Sequence, residues 1–423
     1  MPSIHVRRDG LSAMTIAPLL RGLPCPPMLR ERWLIGILTA VNFTHILDFV
    51  ILMPLGPQLM RVFGIEPSHV ALAVSAYSFS AAAAGVAGAF LIDRFDRKRA
   101  LIVLLSGFIL ATGACALAPT FAALVWARIA AGACGGVLGA LVLAIVADEI
   151  PHERRGAANG VVMAAFSLAS ITGVPAALAA ATCWSWHAPF ILLAGLGVGV
   201  LVVALVVLPP MRSHLGRPVA ARTILIEVAF DPGNLRAFAF MAVLMLASFA
   251  VIPFNSQYLV GNVGFSESDL PYIYLYGGIC SVVTSPWIGR LVDRLGARQV
   301  FTVLALASIV TTVLLTRLGP VGKPLALACT TLFIVVGSGR YVPAMTLIAS
   351  SVAPARRGSF MSLNSAVQSA ASGLAAWLAG LAIGRDAEGH LTGYDAVGLG
   401  AVVAILVSIV LAWRVRVPEA ASS

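Results

Sequence analysis

Four ionisable residues lie inside long apolar stretches of this sequence, and they are the residues best placed to do chemistry. They are Asp48, Arg128 and Arg340, with His45 one helical turn before Asp48. Charges are costly in an apolar medium, so each one is a functional hypothesis. A carboxylate beside an arginine stays ionised, whereas one that is unpaired and dry takes up a proton. We therefore expect Asp48 to carry protons and His45 to share or relay them.

Simpler interpretations stand beside these expectations. Asp48 and Arg128 can form a fixed ion pair that only locks two helices together, and His45 can simply hydrogen-bond Asn42. Asp48 lies about 22 Å into its apolar stretch, and Arg128 lies about 10 Å from the opposite end of its own. The two residues are thus at similar depths, within about one helical turn, and the sequence predicts that they can pair.

Membrane-spanning helices must position these residues. The chain has 423 residues, of which 59% are hydrophobic and 11% are charged, and its mean hydropathy is +0.95. A soluble domain carries about 25% charged residues, so a soluble enzyme and a disordered chain are excluded. Helices satisfy their own backbone hydrogen bonds in lipid. The expected fold class is therefore an all-α integral membrane protein.

Apolar runs of about 18 residues or more predict twelve transmembrane helices, numbered here as spans 1 to 12. The predicted spans are 33–55, 70–92, 100–118, 121–147, 157–181, 188–208, 236–259, 270–291, 299–316, 325–350, 359–383 and 397–413.

The net charge of +10 is distributed as a topology signal. One set of loops and tails holds 22 lysines and arginines and the other holds 4. Because basic residues stay on the cytoplasmic side, both termini are predicted to be cytoplasmic. A nucleic-acid binder would cluster its basic residues on one surface, so no nucleic-acid partner is expected.

These boundaries divide the chain into five parts. We expect a cytoplasmic tail over 1–32, a six-helix bundle over 33–208, a cytoplasmic linker over 209–235, a second six-helix bundle over 236–415 and a cytoplasmic tail over 416–423.

Two pairs of predicted cytoplasmic loops repeat across the halves. The pairs Asp93–Arg94 and Asp293–Arg294 are 200 residues apart, and Arg154–Gly156 and Arg356–Gly358 are 202 residues apart. A nearly constant offset marks a duplicated unit. Two parallel six-span halves around a central cavity are typical of transporters.

The loop Gly289–Arg298 reads Gly-x-x-x-Asp-Arg-x-Gly-x-Arg, and the chain here resembles the major facilitator superfamily over nearly its whole length. The copy at Gly88–Arg99 departs from this motif at Ala89 and at Asp96. The resemblance implies two pseudo-symmetric six-helix bundles. Asp93 and Asp293 can pair with nearby arginines and with helix ends, so we expect both loops to gate the cytoplasmic side, and the resemblance favours this role for the second copy. A static anchor of positive charge is the alternative. The gating candidates are Gly88, Asp93, Arg94, Arg97, Gly289, Asp293, Arg294, Gly296 and Arg298.

A narrower resemblance is to the twelve-span drug:proton antiporter branch, including arabinose-efflux-like permeases. It rests on the segment 48–57, on Arg128, on Gly173–Pro175 and on 184–190. In that branch two glycines follow the Gly-Val-Pro triplet, whereas this chain has alanines at 176 and 177. We expect Gly173 and Pro175 to break or kink span 5.

Further polar residues inside the spans are candidates for a substrate cavity, although each one also suits a hydrogen bond between helices. Arg340 can bind Asp48, a carbonyl group or an anionic group of a substrate, or the broken backbone near Pro343. A basic cavity would suit an anionic or zwitterionic compound. The cavity candidates are Asn42, Arg128, Asn255, Gln257, Arg340, Asn364 and Gln368.

Several motifs are absent from the sequence. We find no phosphate-binding loop, no His-Glu-x-x-His and no Gly-x-Ser-x-Gly, and the six cysteines lack metal-ligand spacing. We therefore expect no enzyme activity, no cofactor and no metal.

The sequence thus predicts a secondary active transporter that works by alternating access. We expect proton-coupled export of a small organic compound, with protons and membrane lipid as further partners and a monomer as the working unit. A proton symporter for metabolite uptake is the alternative, and a membrane receptor or scaffold is a remote one. The short loops suit a bacterial inner membrane.

Overall fold

The computed structural model describes residues 27–91, 94–212, 221–352 and 357–415. Most of the predicted N-terminal tail, the predicted C-terminal tail over 416–423 and Asp93 lie outside the described residues. Within them the chain is helical apart from one short hairpin.

Eight helices build the first half of the chain. Spans 1 to 6 correspond to α1 with α2, α3, α4, α5, α6 with α7, and α8. The helices are α1 (Pro27–Ile51), α2 (Gly56–Phe63), α3 (Pro67–Leu91), α4 (Arg97–Ala116), α5 (Phe121–Glu149), α6 (Arg155–Leu168), α7 (Val174–Cys183) and α8 (Ala188–Val207).

Nine helices build the linker and the second half. The helix α9 lies in the linker, and spans 7 to 12 correspond to α10 with α11, α12, α13, α14 with α15, α16 and α17. The elements are α9 (Ala221–Phe230), α10 (Pro232–Phe249), α11 (Asn255–Tyr258), α12 (Leu270–Leu295), α13 (Ala297–Thr316), α14 (Lys323–Gly339), α15 (Tyr341–Ser350), α16 (Arg357–Ala382), β1 (Gly384–Arg385), β2 (Leu391–Thr392) and α17 (Tyr394–Arg414).

Ten helical segments of the described chain are long and apolar enough to cross a membrane. The remaining two spans, α12 and α16, have 26 residues each but carry more polar side chains. A 26-residue helix is about 39 Å long, which exceeds the hydrocarbon core of a bilayer. The twelve-span, all-α membrane fold predicted from the sequence is confirmed.

Three spans are interrupted part-way along their length. Span 1 turns at 52–55 between α1 and α2, span 7 passes through a 3₁₀ turn at Ile252–Phe254, and span 10 breaks at Arg340. Span 5 contains a π-helical turn at Ala169–Gly173, where the N–H of Val174 donates to the carbonyl of Ala169. Proline lacks an N–H and cannot continue an α-helical hydrogen-bond ladder, which places Pro175 naturally just after this turn.

The two halves contact each other through spans 2 and 11 and through spans 5 and 8. We call the membrane face that carries both ends of the described chain the terminal face, and the opposite one the distal face. Ser75 donates to the carbonyl of Gly373 at 2.9 Å, and a Cβ on Gly380 would lie 2.5 Å from Ala71. Close backbone approach therefore joins spans 2 and 11 tightly on the distal side.

The two loops of the duplicated motif begin the next helix by different means. Gly296 has φ +87°, a conformation that favours glycine, and it precedes α13. Asp96 occupies the equivalent position before α4, with φ −54°, and its side chain accepts from the N–H groups of Lys98 and Arg99. The departure from the motif at Asp96 thus exchanges a glycine turn for a side-chain N-cap.

Small residues hold span 4 against span 2. A Cβ on Gly136 would lie 2.3 Å from the carbonyl oxygen of Ala81, and one on Gly132 would lie 2.3 Å from that of Tyr77. Backbone atoms cannot move aside as a flexible side chain can. These glycines therefore set the separation of the two helices.

We predict that Gly136→Ala forces spans 2 and 4 apart and destabilises the protein by about 1–3 kcal/mol, as overpacking does. Thermal unfolding of the purified protein in detergent measures this loss. The matched control is Gly199→Ala in α8, where a Cβ meets no atom within 4 Å. Equal melting temperatures for the two variants would contradict the packing argument.

Candidate functional site

A buried ion pair joins span 1 to span 4. Arg128 donates from Nη1 to Asp48 Oδ2 at 2.7 Å and to the Asp48 backbone carbonyl at 3.1 Å. Thr112 of span 3 donates to Asp48 Oδ1 at 3.3 Å. Both charged side chains are 0% exposed. The pairing that matching depths made possible is therefore present, and water is excluded from it.

The ring of Tyr77 covers the guanidinium group. The Arg128 Cζ atom lies 4.3 Å from the centroid of the Tyr77 ring, a cation–π distance. Gly135 makes this possible, because a Cβ there would lie 2.4 Å from the Tyr77 hydroxyl oxygen. Side chains from spans 1 to 4 thus enclose one pair of opposite charges.

An aromatic path leads from this ion pair to the other half of the molecule. Phe49 stacks on Tyr77 with ring centroids 5.4 Å apart, and it contacts Phe249 of span 7 at 5.6 Å. Phe49 and Phe249 are 200 residues apart, the offset of the repeat. The two repeat-related phenylalanines therefore meet where the bundles contact each other.

His45 lies apart from the carboxylate. Its Nε2 atom is 2.8 Å from Asn42 Oδ1, and Asn42 Nδ2 donates to the carbonyl of Val162 in span 5 at 2.9 Å. This is the hydrogen bond that the simpler interpretation of His45 predicts. Asn42 accordingly joins spans 1 and 5.

Arg340 is buried in the second half without an acidic partner among the described residues. It donates to Ser308 of span 9 at 3.0 Å and to Ser248 of span 7 at 2.7 Å. Its Nε atom has no hydrogen-bond partner in the part of the chain that the structure describes. The sequence allowed Asp48, a carbonyl group, a substrate anion or the backbone near Pro343 as partners of Arg340. The structure instead shows two serine hydroxyls as its hydrogen-bond acceptors.

The other cavity candidates do not form one cluster of contacts. Gln257 packs against Gly56 of span 1, where a Cβ would lie 2.4 Å from its Nε2 atom. Gln368 donates to the Tyr341 hydroxyl at 3.0 Å. Asn255 and Asn364 are buried, and their Oδ1 atoms have no hydrogen-bond partner within the described ranges.

On the distal face, ion pairs close the space above this site. Nη1 and Nη2 of Arg61, at the end of span 1, donate to the carboxylate of Glu267 before span 8, and so bridge the two halves. Lys323 donates to Asp269 at 2.7 Å. The hydrogen bond from Lys323 lowers the pKa of Asp269 to about 2, with help from Ser266. A shallow cavity of about 660 Å³ lies beside the Arg61–Glu267 pair.

The predicted gating residues are held mainly within their own halves. Arg97 donates to Asp148 at 2.9 Å, joining spans 3 and 4, and Arg298 donates to the carbonyl of Val415 at 2.5 Å. Burial raises the pKa of Asp96, but hydrogen bonds from Arg212, Met211, Arg99 and Lys98 outweigh it and leave the pKa below its ordinary value. The exposed gating residues are Arg94, Asp293, Arg294 and Gly296, while Gly88 packs on Val137 and Gly289 has open space around it.

One cluster of possible metal ligands occurs among the described residues. Asp386, Glu388 and His390 bring ligand atoms within 4.8 Å of one another on the distal hairpin. The Asp386 carboxylate already accepts from the N–H of His390 at 2.7 Å and closes the turn. This hydrogen bonding accounts for the proximity of the side chains.

The comparisons with known proteins agree with this architecture. The family model for the Major Facilitator Superfamily matches residues 38–376 and 237–423. The chain belongs to the major facilitator superfamily. An integral multi-pass membrane transporter is therefore established.

Two curated relatives span different shares of this major facilitator. An uncharacterized MFS-type transporter of Bacillus subtilis (strain 168), YceJ, is 24% identical over 380 residues, which is 86% of this chain and 93% of the relative. A chloramphenicol efflux pump of Mycobacterium tuberculosis (strain CDC 1551 / Oshkosh) is 23% identical over 269 residues, 62% of this chain and 63% of the pump.

Solved structures show the same fold. The crystal structure of a D-xylose-proton symporter has a TM-score of 0.71 to this transporter and 15% sequence identity, and the match covers 90% of this chain and 97% of the symporter. At this level of identity the similarity concerns the fold.

We predict that Asp48→Asn destabilises the transporter by about 3–5 kcal/mol, because it leaves a buried guanidinium group without its counter-charge. The double variant Asp48→Leu/Arg128→Met removes both charges and is expected to unfold close to the wild-type temperature. Thermal unfolding in detergent compares the three proteins. A double variant less stable than Asp48→Asn would show that the ion pair itself supplies net stability.

Proposed function

We propose that this transporter exports a small organic compound in exchange for protons, by alternating access. The observation that carries the proposal is the enclosed Asp48–Arg128 pair, which touches the interface of the two halves through Tyr77 and Phe49. Protonation of Asp48 would free the guanidinium group from its partner. A change of one proton would thereby reach the surface on which the halves rearrange.

The free energy needed to break the ion pair is similar to the free energy that one proton supplies. Disrupting a buried pair by removing one charge costs about 3–5 kcal/mol. A proton that crosses a membrane potential of about 150 mV supplies about 3.5 kcal/mol. One proton therefore carries enough free energy to exchange the paired state for a protonated one.

Export is supported by the relatives rather than by the site. A curated relative is a chloramphenicol efflux pump. The same fold also occurs in a D-xylose-proton symporter, which takes the opposite mode of coupling. We propose export as the direction, and the sign of the accompanying proton movement tests it.

We propose that the distal face is external and the terminal face cytoplasmic. The uneven division of 22 against 4 basic residues supports this orientation. The bacterial relatives support an inner membrane. Each chain contains its own ion pair and aromatic path, which suits a working monomer. Arg61 and Glu267 then close the molecule toward the outside and must separate for the outward-open state.

We predict that Asp48→Leu/Arg128→Met uncouples protons from substrate, because it keeps the packing but removes the proton carrier. Proteoliposomes with an enclosed pH dye compare this variant with wild type, using labelled chloramphenicol as a neutral candidate and a labelled carboxylate drug as an anionic one. Wild type is expected to move protons against the drug, and the variant is expected to move drug alone, down its gradient.

Proton movement by the double variant equal to that of wild type would make the ion pair purely structural. Protons that move with the drug in wild type would identify a symporter. Gly199→Ala serves as the control, since this glycine lies away from the ion pair with open space around it.

We predict that Arg61→Glu shifts the transporter toward its distal-open state, because two carboxylates then face each other. An exposed ion pair is worth about 0.2–1 kcal/mol, so the shift is a few-fold at most. The readout is the rate at which a membrane-impermeant maleimide labels a cysteine placed at Ser75, a buried residue between the halves.

The double variant Arg61→Glu/Glu267→Arg restores opposite charges and is expected to restore slow labelling. All three proteins carry Cys183→Ser, which removes an exposed native thiol. Labelling that stays unchanged in Arg61→Glu would mean that this pair does not hold the distal face closed.

A further inference from the structure

The two bundles gather the same set of spans around a buried arginine. In the first half, spans 1, 3 and 4 contribute Asp48, Thr112 and Arg128. In the second half, the repeat-related spans 7, 9 and 10 contribute Ser248, Ser308 and Arg340. The same spans contribute in each half, but only Asp48 and Ser248 stand at the repeat offset of 200 residues, and the second set lacks a carboxylate.

The repeat offset pairs Asp48 with Ser248. The two positions are 200 residues apart, as are the neighbouring Phe49 and Phe249. Those two rings lie 5.6 Å apart, and the helix is interrupted shortly after each of them. The second bundle therefore carries a hydroxyl where the first bundle carries the carboxylate that neutralises its arginine.

The two arginine side chains start from different depths in the membrane. Arg128 lies about 10 Å from the distal end of span 4, and Arg340 lies about 25 Å from the distal end of span 10. They are not repeat mates, because the offset of 202 pairs Arg128 with Thr330. The guanidinium group of Arg128 nevertheless contacts Asp48 of span 1, and that of Arg340 contacts Ser248, the repeat mate of Asp48, in span 7.

Within 236–352 and 357–415, every acidic residue lies too close to a membrane face to neutralise Arg340. Asp395 starts α17 on the distal face, and Asp293 is exposed near the end of α12 on the terminal face. In the first half, Asp48 is already bound to Arg128. The remaining acidic residues of the second half are Glu267 and Asp269 before α12, and Asp386 and Glu388 on the hairpin turn.

Partial charges make the arginine tolerable but do not complete its environment. Helix α10 ends at Phe249 and α14 ends at Gly339, and the C-terminus of a helix carries about half a negative charge. The hydroxyls of Ser248 and Ser308 already donate to the carbonyls of Leu244 and Ala305. Among the described residues the Nε–H group of Arg340 has no acceptor, and the same is true of Nε and Nη2 of Arg128, so what sets Arg340 apart is its missing counter-charge.

We propose that Arg340 binds the anionic group of the transported compound, and that the substrates are therefore small organic anions such as carboxylates. The proposal rests on the proposed transport function. Asp48 and Arg128 together are neutral, so Arg340 is left as the buried charge of the described spans, and a monoanion balances it. A guanidinium group is also the side chain best suited to carboxylate recognition.

The test measures anion binding without any transport. Purified protein in detergent is unfolded thermally in sodium acetate, sodium benzoate or sodium chloride at one ionic strength, with sodium gluconate as the bulky reference salt. We expect acetate and benzoate to raise the melting temperature of wild type by on the order of 2 °C or more above gluconate, and chloride to raise it less.

Two variants assign the effect to Arg340. Arg340→Gln removes the cation, and Ser248→Asp supplies an internal carboxylate in the position that Asp48 holds in the other bundle. Both are expected to lose the dependence on acetate and benzoate, and Ser248→Asp is expected to melt above wild type. Arg317→Gln, at an exposed arginine on the distal surface, is the matched control and is expected to keep the dependence.

Each outcome decides the matter separately from proton coupling. Salt dependence that persists in Ser248→Asp and Arg340→Gln overturns the site. An Arg340-dependent effect that is as large for chloride as for acetate shows an inorganic anion as occupant and overturns the assignment of substrate class. Since no pH gradient is present, a transporter that fails to couple protons can still pass this test, and one that couples protons can fail it.

Discussion

The burial of one carboxylate and one guanidinium group constrains the rest of the first bundle. Two charges at 0% exposure are stable only while they remain paired, because the desolvation penalty for an unpaired buried charge is several kcal/mol. Helices that could slide or separate would break the pair. The glycines of span 4 meet this constraint, since they bring its backbone against span 2 and leave room for the Tyr77 ring over Arg128.

The second bundle carries a serine at the position where the first bundle carries its carboxylate. Ser248 replaces the acid, and two interrupted helices supply partial charges instead of a full one. A similar exchange occurs at the loops, where Gly296 uses a left-handed turn and Asp96 uses a side-chain cap. In both cases a duplicated position carries different chemistry in the two halves, and in the bundles only the first half holds its own counter-charge.

The sequence predicts the spans well because hydrophobic length is a local property. Each predicted span corresponds to helices of the structure, and the pairing of Asp48 with Arg128 was accessible because depth in the membrane follows from residue counting. The role of Phe49 was not accessible, since nothing local distinguishes a phenylalanine that meets its repeat mate from one that faces lipid. The Arg61–Glu267 bridge was hidden for the same reason: its partners are 206 residues apart and belong to different bundles.

The contact between Phe49 and Phe249 gives the ion pair a physical route to the other bundle. Phe49 follows Asp48 directly in the chain, so the carboxylate and the ring that touches span 7 are neighbours on one helix. Phe249 in turn follows Ser248, which holds Arg340. Protonation in one half and anion binding in the other would therefore act on the same two rings. A single interface of this kind can exchange one arrangement for another when either charge changes, without any chain of contacts through the periphery of the bundles.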